Sequence, residues 1–208
     1  MARNYRTTLF DEDVQHLQEL HGSRASYAKL DAGADGSPDL LTAKEIGFMG
    51  ERDSFYMASV NAEGWPYMQH RGGPAGFLRP IDGNRIGFAD YRGNKQYIST
   101  ANLAHNDRVS LFLMDYPNRE RLKLIGHAHS VERADDPELV ASLMPEGYRA
   151  VPERAFLIDI VGWEWNCSQH ITPRFTEAEI SAAIKPMAAE LNQLRAELAA
   201  LRAEKDEK

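Results

Sequence analysis

Cysteine is almost absent from this sequence. Cys167 is the single one among 208 residues, so no disulfide can form within the chain, which fits a reducing compartment. No apolar run approaches the roughly eighteen residues of a membrane span, and the first residues lack the apolar segment of a signal peptide. Basic residues are outnumbered, 24 against 31 acidic, and the net charge of −7 argues against binding to nucleic acid. These absences predict a cytoplasmic protein with no membrane and no nucleic-acid partner.

Three familiar motifs are also missing. The sequence has no G-x-G-x-x-G between a strand and a helix, no G-x-x-x-x-G-K-[ST], and no G-x-S-x-G. Dinucleotide-binding Rossmann folds, P-loop nucleotidases and α/β-hydrolases therefore lose support. Hydrophobic residues make up 43% of the chain, enough to bury the core of one domain that carries an appendage.

The central part of the chain alternates apolar and polar residues in short runs joined by turns. The runs 54–60 and 65–70 predict one hairpin, and 77–81 and 85–89 predict another, closed by Asp82–Gly83–Asn84. Further runs at 109–115, 121–131 and 155–165 give about six strands with few crossover helices, which favours an antiparallel barrel. Short helices are predicted at 10–21, 42–50, 96–105 and 137–144.

The C-terminal region has a heptad repeat that follows a capping box at Thr176 and Glu179. We expect a parallel two-stranded coiled coil, because the acidic g positions (Glu190, Glu197, Glu204) would face basic e positions (Arg195, Arg202) of a second copy. Pro186 is expected to interrupt the helix early, as a kink. The alternative is a single amphipathic helix folded back on its own barrel. The apolar positions are Ile180, Ile184, Met187, Leu191, Leu194, Leu198 and Leu201.

Two polar stretches indicate a ligand site. YMQHRGGPAGF places Gln69, His70 and Arg71 directly before two glycines, as if a polar ligand lay against a strand end. ADYRGNKQ places Arg92 and Lys95 around a glycine where a strand leads into a helix, a setting that favours a phosphate. The alternative for the second stretch is a polar turn whose charges stand in water.

A metal site has weaker support. His127 and His129 share a face of one strand, and Cys167 and His170 are three residues apart, but each pair lacks a third ligand. Cys167 is interpreted as a buried thiol rather than a nucleophile, because nothing nearby indicates a lowered pKa. We therefore predict no metal.

From about residue 43 to residue 175, four segments taken together resemble one known family. They are DSFYMASVNAEGWP (53–66), QHRGGPAGF (69–77), DYRGNKQ with NLAHNDRVSL (90–96 and 102–111), and WNCSQHITPRF (165–175). The chain resembles the pyridoxamine 5′-phosphate oxidase-like FMN-binding split barrels, and among them the predicted flavin-nucleotide-binding proteins. The resemblance implies a mainly-β (α+β) antiparallel split β-barrel over 43–175. Segment 1–42 would be a helical and loop segment with short flanking helices, and 176–208 the C-terminal heptad helix.

The resemblance also implies the site. Basic and main-chain groups of the second strand and of the turn before a helix would hold the flavin phosphate, and a basic residue on a long strand would reach the flavin ring. The closing strand and its continuation would reach the flavin of a partner subunit across a homodimer interface. The cofactor-binding residues expected in this way are Gln69, His70, Arg71, Gly72, Arg92, Asn94, Lys95, Arg121, Lys123, Trp165, Gln169 and His170.

The function implied is an FMN-binding oxidoreductase that acts on an unidentified small molecule, with an electron donor such as NAD(P)H. Vitamin B6 is not predicted as the substrate, because WNCSQHITPRF and the heptad tail replace the segment that holds the substrate phosphate in pyridoxamine phosphate oxidases. The sequence names no catalytic acid or base. The alternative from another class is a non-catalytic flavin- or haem-binding carrier or sensor, with His127 or His170 as an iron ligand.

Overall fold

The computed structural model describes residues 4–32, 35–165 and 168–206. The chain divides into two compact units. The first consists of Met1–Asp115 and Glu120–Gln169, and the second of Tyr116–Arg119 and His170–Lys208. The predicted division at residues 42 and 175 stays a prediction. Cys167, interpreted above as a buried thiol, lies outside the described residues.

The first unit is built on one antiparallel sheet of seven strands, where the sequence predicted about six. The strand order is β2-β1-β5-β6-β7-β4-β3. With short helices around the sheet, this arrangement is the predicted mainly-β (α+β) split barrel, and the fold class is confirmed. The strands are β1 (Ser54–Val60), β2 (Pro66–Gly72), β3 (Arg79–Pro80), β4 (Arg85–Tyr91), β5 (Arg108–Asp115), β6 (Glu120–Glu132) and β7 (Pro152–Trp165).

The core of the barrel is formed by the apolar positions that alternate along these strands, as the period of two requires. Its centre is a group of phenylalanine rings from different strands. Phe88 of β4 stacks on Phe156 of β7 with ring centroids 5.2 Å apart, and Phe55 of β1 meets the edge of Phe88 at 5.3 Å. All three rings are fully buried. The core therefore joins strands that are far apart in the sheet order.

Six short helices surround the sheet within the described part of the first unit: α1 (Asn4–Leu9), α2 (Glu12–Leu20), α3 (Arg24–Asp31), α4 (Ala43–Gly50), α5 (Ile98–Leu103) and α6 (Pro137–Ser142). Asp11 caps the start of α2, because its carboxylate accepts from Val14 N at 2.9 Å. Two leucines of α2 remain largely in solvent, since Leu17 is 53% and Leu20 69% exposed.

Neither α1 nor α3 was predicted as an individual helix, and α1 owes its position to a long-range contact. The Asp39 carboxylate accepts from the backbone N–H groups of Asn4 at 3.0 Å and Tyr5 at 2.8 Å. Asn4 Nδ2 also donates to the Val161 carbonyl at 2.9 Å. A helix of six residues positioned by such distant groups leaves no periodic pattern in the sequence.

α4 begins with a capping box formed by Thr42 and Glu45. Glu45 is 1% exposed, and its carboxylate also accepts from the indole N–H of Trp165 at 2.7 Å. Burial raises the pKa of Glu45, but the hydrogen bonds from Thr42 and Trp165 outweigh this effect and hold the pKa below its usual value. The capping box thus joins α4 to the end of β7.

α5 is shorter than predicted. It spans Ile98–Leu103, whereas the sequence predicted 96–105. The reason is local, because Tyr97 has a left-handed backbone with φ 55° and cannot continue a helix. Asn102 fixes α5 to β1 by donating to Ser59 Oγ at 2.9 Å, with both side chains buried.

The second unit contains α7, which spans Glu177–Asp206. Its predicted capping box is confirmed, because Thr176 N donates to Glu179 Oε2 at 2.7 Å and Glu179 N donates to Thr176 Oγ1 at 3.2 Å. α7 continues through Pro186, and the kink expected at this residue stays a prediction. In the described part of the chain, no helix combines the length and apolarity needed to cross a membrane.

Candidate functional site

A cleft of about 210 Å³ opens in the first unit where β2 ends and β4 leads into α5. It contains four of the residues predicted to bind a cofactor: Gln69, Arg71, Asn94 and Lys95. The two polar stretches singled out in the sequence therefore meet in space. The remaining lining residues are Asp90, Tyr91, Gly93, Gln96, Tyr97, Ile98, Ser99, Thr100, Glu153 and Arg154.

The floor of the cleft is a buried ion-pair network centred on Asp90. Arg71 Nη1 lies 2.5 Å from Asp90 Oδ1, and Arg154 Nη1 lies 2.9 Å from Asp90 Oδ2. Arg154 Nε also donates to Glu132 Oε1 at 2.7 Å. The Arg71–Asp90 pair joins β2, at one edge of the sheet, to β4, next to the other edge. One carboxylate therefore closes the barrel and holds two guanidinium groups at the cleft.

Both arginines in this network have perturbed pKa values. Burial lowers the pKa of Arg71, and the neighbouring Asp90 opposes that effect only in part. Burial also acts to lower the pKa of Arg154, but hydrogen bonds to Glu132 and Asp90 outweigh it and raise the pKa. An arginine keeps its proton in either case. The cleft therefore contains two fixed positive charges.

Three residues that line the cleft have a buried polar atom without a hydrogen-bond partner: Arg71 (Nε), Ser99 (Oγ) and Tyr91 (its hydroxyl). The Tyr91 ring packs edge-on against Tyr148, with ring centroids 5.2 Å apart. The Arg71 guanidinium lies over the ring of Phe156, 4.9 Å from its centroid. Ser99 is 2% exposed. A buried donor without a partner costs free energy. A ligand that accepts hydrogen bonds from Arg71 Nε and Ser99 Oγ would therefore be favoured.

The loop before α5 forms another wall of the cleft. Lys95 and Tyr97 both have positive φ, 58° and 55°, and Asn94 Oδ1 accepts from Gln96 N at 3.2 Å. Lys95 is exposed, and the Arg154 guanidinium lies 5.1 Å from the centroid of the Tyr97 ring. A third positive charge thus stands in the same cleft as Arg71 and Arg154.

His70 and Gly72 do not line the cleft. His70 is on the exposed face of β2, where its ring meets the edge of Tyr56 at 5.6 Å. The glycines were expected to let a ligand approach, but the structure gives Gly73 a packing reason. A Cβ there would lie 2.8 Å from Cγ of Phe77. Gly93 lines the cleft, and a Cβ there would meet only Tyr91 O, at 3.9 Å, so packing within the protein does not require this glycine.

Arg92 also points away from the cleft. Its Nε lies 3.2 Å from Glu153 Oε1, and its side chain is 57% exposed. Glu153 lines the cleft, but Arg92 itself does not.

Arg121 and Lys123 are on the outer face of β6, since they alternate with the fully buried Leu122 and Leu124. Lys123 Nζ lies 3.2 Å from Glu164 Oε2. It also stands 5.2 Å from the centroid of the Tyr5 ring, where burial raises the pKa of the Tyr5 hydroxyl. Arg121 Nε is buried without a partner. The structure does not bring these two residues to the cleft of their own chain.

Trp165 is at the end of β7 and has a structural role within its own chain. It donates to Glu45 and packs edge-on against Phe48 with ring centroids 4.8 Å apart. Gln169 is exposed at the end of the first unit. His170 is exposed in the second unit and has a positive φ of 62°. Trp165 and Gln169, which belong to the unit that contains the cleft, do not line it.

Asp90, Ser99 and Arg154 are site residues that sequence reasoning missed. A signal existed for two of them. Arg154 stands directly before the apolar run 155–158, and Asp90 is the last residue but one of the apolar strand β4. A charged residue at the end of a buried strand needs a partner of opposite charge. The two lie opposite each other in the β4–β7 register. Nothing in the sequence distinguished Ser99.

The Nδ1 atom of His127 lies 3.0 Å from Asp107 Oδ1. Across residues 4–32, 35–165 and 168–206, no three His, Cys, Asp or Glu side chains are grouped as metal ligands. The cleft suits an anion rather than a metal cation. Its three cationic side chains and its free hydroxyl suit a small anion with several acceptor oxygens, such as a phosphate.

Comparison with known sequences gives one family match. The profile of the family described as pyridoxamine 5′-phosphate oxidase matches residues 41–167, which is more than half of the chain. No curated protein matches the sequence.

Solved structures with similar folds are distant in sequence. HupZ of group A Streptococcus is 14% identical, with a TM-score of 0.50 over 65% of this chain and 100% of that one. An FMN-binding protein of Syntrophomonas wolfei is 10% identical, with a TM-score of 0.44 over 72% and 97%. A Clostridium acetobutylicum protein related to general stress protein 26 is 14% identical, with a TM-score of 0.45 over 66% and 94%.

Proposed function

Because the chain belongs to the pyridoxamine 5′-phosphate oxidase family, we propose that it is an FMN-binding flavoprotein whose cleft holds the FMN phosphate. The observation that carries the proposal is the unused hydrogen-bonding capacity of the cleft, Arg71 Nε and Ser99 Oγ, beside three cationic side chains. A phosphate monoester has the charge and the acceptor oxygens that such a set requires.

Each cleft residue has a definite part in this proposal. Arg71 donates to a phosphate oxygen through Nε, while its Nη1 remains on Asp90. Ser99 donates its hydroxyl, and Lys95 supplies a mobile positive charge from the loop. Asn94 and Gln69 are polar groups at the edge of the cleft. Binding in this form leaves the ion pair that closes the barrel intact.

A homodimer is the second part of the proposal. The outer face of β1 and β2 presents large side chains to solvent: Tyr56 is 37% and Met68 66% exposed. Phe112 and Met114 of the neighbouring β5 alternate with buried residues and face the same way. An exposed apolar sheet face of this kind is typical of a protein interface. Arg121, Lys123, Trp165, Gln169 and His170 would then act on the flavin bound to the other subunit.

The proposed activity is flavin-dependent oxidation or reduction of a small molecule. When FMN is bound, the cofactor supplies the hydride or electron transfer, and the protein supplies binding, orientation and nearby charge. This chain's residues fix the phosphate end and exclude water from the buried floor of the cleft. NAD(P)H is the electron donor to test first.

The absorption spectrum of the purified protein, recorded before and after NAD(P)H, tests the function directly. Visible flavin bands that are bleached by NAD(P)H support a flavin-dependent oxidoreductase. Flavin bands that NAD(P)H leaves unchanged support a flavin carrier, and a Soret band supports the haem alternative. Absence of both spectra, together with no FMN uptake by the apoprotein, would overturn the proposal.

Arg71→Ala tests the site. A hydrogen bond to a charged group contributes about 1.5–3 kcal/mol, so FMN affinity should fall at least about tenfold. Arg85→Ala is the matched control, because Arg85 forms an exposed ion pair with Asp159 outside the cleft. Equal affinities of both variants in a fluorescence titration of the apoproteins would remove Arg71 from the site.

A further inference from the structure

The second unit presents an unusually regular surface, the long helix α7 (Glu177–Asp206). Its thirty residues extend about 45 Å at the normal helical rise. The capping box at Thr176 and Glu179 fixes where it begins. A helix of this length has a defined face along its whole extent.

One face of α7 is apolar and open to solvent. Seven large apolar side chains follow one another at alternating spacings of four and three residues, and each is between 48% and 69% exposed. Such a stripe is the seam of a coiled coil, where positions a and d insert between the side chains of a facing helix. The seam residues are Ile180, Ile184, Met187, Leu191, Leu194, Leu198 and Leu201.

The other faces of α7 do not offer a second seam. With a at Ile184, the outermost positions f are Ala182, Ala189, Ala196 and Ala203, which favour a helix but bury little. Pro186 falls at position c, away from the seam. The backbone hydrogen bond that it removes would have ended on Ala182 O, on the outer side. The seam therefore passes Pro186 without interruption, and a single stripe suits two strands.

We propose that α7 pairs with α7 of a second copy of this chain in a parallel two-stranded coiled coil. The flanks of the seam carry the argument for this occupant. Position g is glutamate at 190 and 197, and position e is arginine at 195 and 202. In a parallel pair each g residue faces the following e residue of the partner, so Glu190 meets Arg195 of the partner subunit, and Glu197 meets Arg202 of the partner subunit.

The same charges exclude the antiparallel arrangement, in which glutamate would face glutamate and arginine would face arginine. They also favour a second copy over a different protein. The helix contains both halves of each pair in one register, so it complements itself. This inference goes beyond the flavin proposal and does not depend on it.

Disulfide trapping in the full-length chain tests the pairing. In a Cys167→Ser background, Leu194→Cys places a thiol in the seam at position d, and Ala196→Cys places one at the outer position f. In a glutathione redox buffer, the Leu194→Cys chain should run mainly as a covalent dimer on a non-reducing gel. The Ala196→Cys chain should remain mainly monomeric. Equal yields from the two variants would overturn the proposal.

Charge reversal tests the orientation with the same readout. Glu190→Arg with Glu197→Arg should lower the disulfide yield of Leu194→Cys. Four arginines would then face one another along each side of the seam, two from each chain, and repel. Adding Arg195→Glu and Arg202→Glu should restore the yield, since the parallel pairs are remade with exchanged signs. A disulfide yield that is the same in all of these variants would overturn the parallel seam. A trimer or tetramer in analytical sedimentation would also overturn it. Flavin absorbance of the same preparations reports separately on the flavin proposal.

Discussion

An Asp90→Asn variant should lose stability, because Asp90 is the only described carboxylate that pairs with both Arg71 and Arg154. The side chains of the three residues are 12%, 12% and 9% exposed for Asp90, Arg71 and Arg154. Removing one partner from a buried ion pair costs about 3–5 kcal/mol, because the remaining charges lose their compensation. Asparagine keeps one acceptor oxygen, so we expect the lower end, about 3 kcal/mol.

Urea unfolding followed by circular dichroism measures this loss. In thermal unfolding, a loss of about 3 kcal/mol should lower the melting temperature by about 6–12 °C in a domain of this size. The matched control is Asp159→Asn, which breaks the Arg85–Asp159 pair. That pair is as short, 2.6 Å, but its side chains are 39% and 46% exposed. We expect the control to lose at most about 1 kcal/mol.

The same variant should still bind FMN at least as tightly as the wild-type chain. Asp90→Asn removes a negative charge from a cleft that we propose holds a dianion, while Arg71, Arg154 and Ser99 remain. The reasoning would be refuted if Asp90→Asn were no less stable than Asp159→Asn. It would also be refuted if FMN affinity fell as far as in Arg71→Ala, because Asp90 would then be needed for binding.

Three further variants test local parts of the structure. Burial raises the pKa of Tyr91 to about 12, so the stability of the fold should fall as the pH rises from about 10 towards 12. Tyr91→Phe should lose less stability over that range, as measured by alkaline unfolding. The pKa of Glu45 is held below its usual value, so Glu45 stabilises the fold at neutral pH and this contribution disappears as the pH falls through the lowered pKa. Glu45→Gln should therefore show a shallower acid limb than the wild-type chain. Gly73→Ala should cost about 1–3 kcal/mol in urea unfolding, because its Cβ would lie 2.8 Å from Cγ of Phe77, and an unchanged midpoint would contradict the packing reason given for this glycine.

The barrel could be read from the sequence because its strands alternate and its turns carry strong local signals. β1 (Ser54–Val60) and α4 (Ala43–Gly50) were predicted nearly residue for residue. The misses have two kinds of cause. α1 is held by the distant Asp39, and α5 begins late because the adjacent Tyr97 takes a left-handed backbone. Neither cause leaves a periodic pattern in the chain.

The candidate site was predicted in part for the same reason. Gln69, Arg71, Asn94 and Lys95 belong to stretches whose composition alone suggested an anion, and they share one cleft. His70 was grouped with them by adjacency, but neighbouring residues of a strand face opposite sides. Asp90, Ser99 and Arg154 could be found only by pairing strands that are distant in sequence.

The ion-pair network offsets part of the positive charge of the cleft. Asp90 neutralises part of the charge of Arg71 and Arg154 from within the fold. The donors left over, Arg71 Nε and Ser99 Oγ, are held in place by packing rather than by a bound anion. A ligand that uses them therefore pays little to order the site. A ligand at about one hundred times its Kd adds about 2.7 kcal/mol of stability, similar to the loss expected for Asp90→Asn. Saturating FMN should accordingly restore most of the melting temperature that Asp90→Asn loses, because the phosphate then supplies the negative charge that Asp90 supplied.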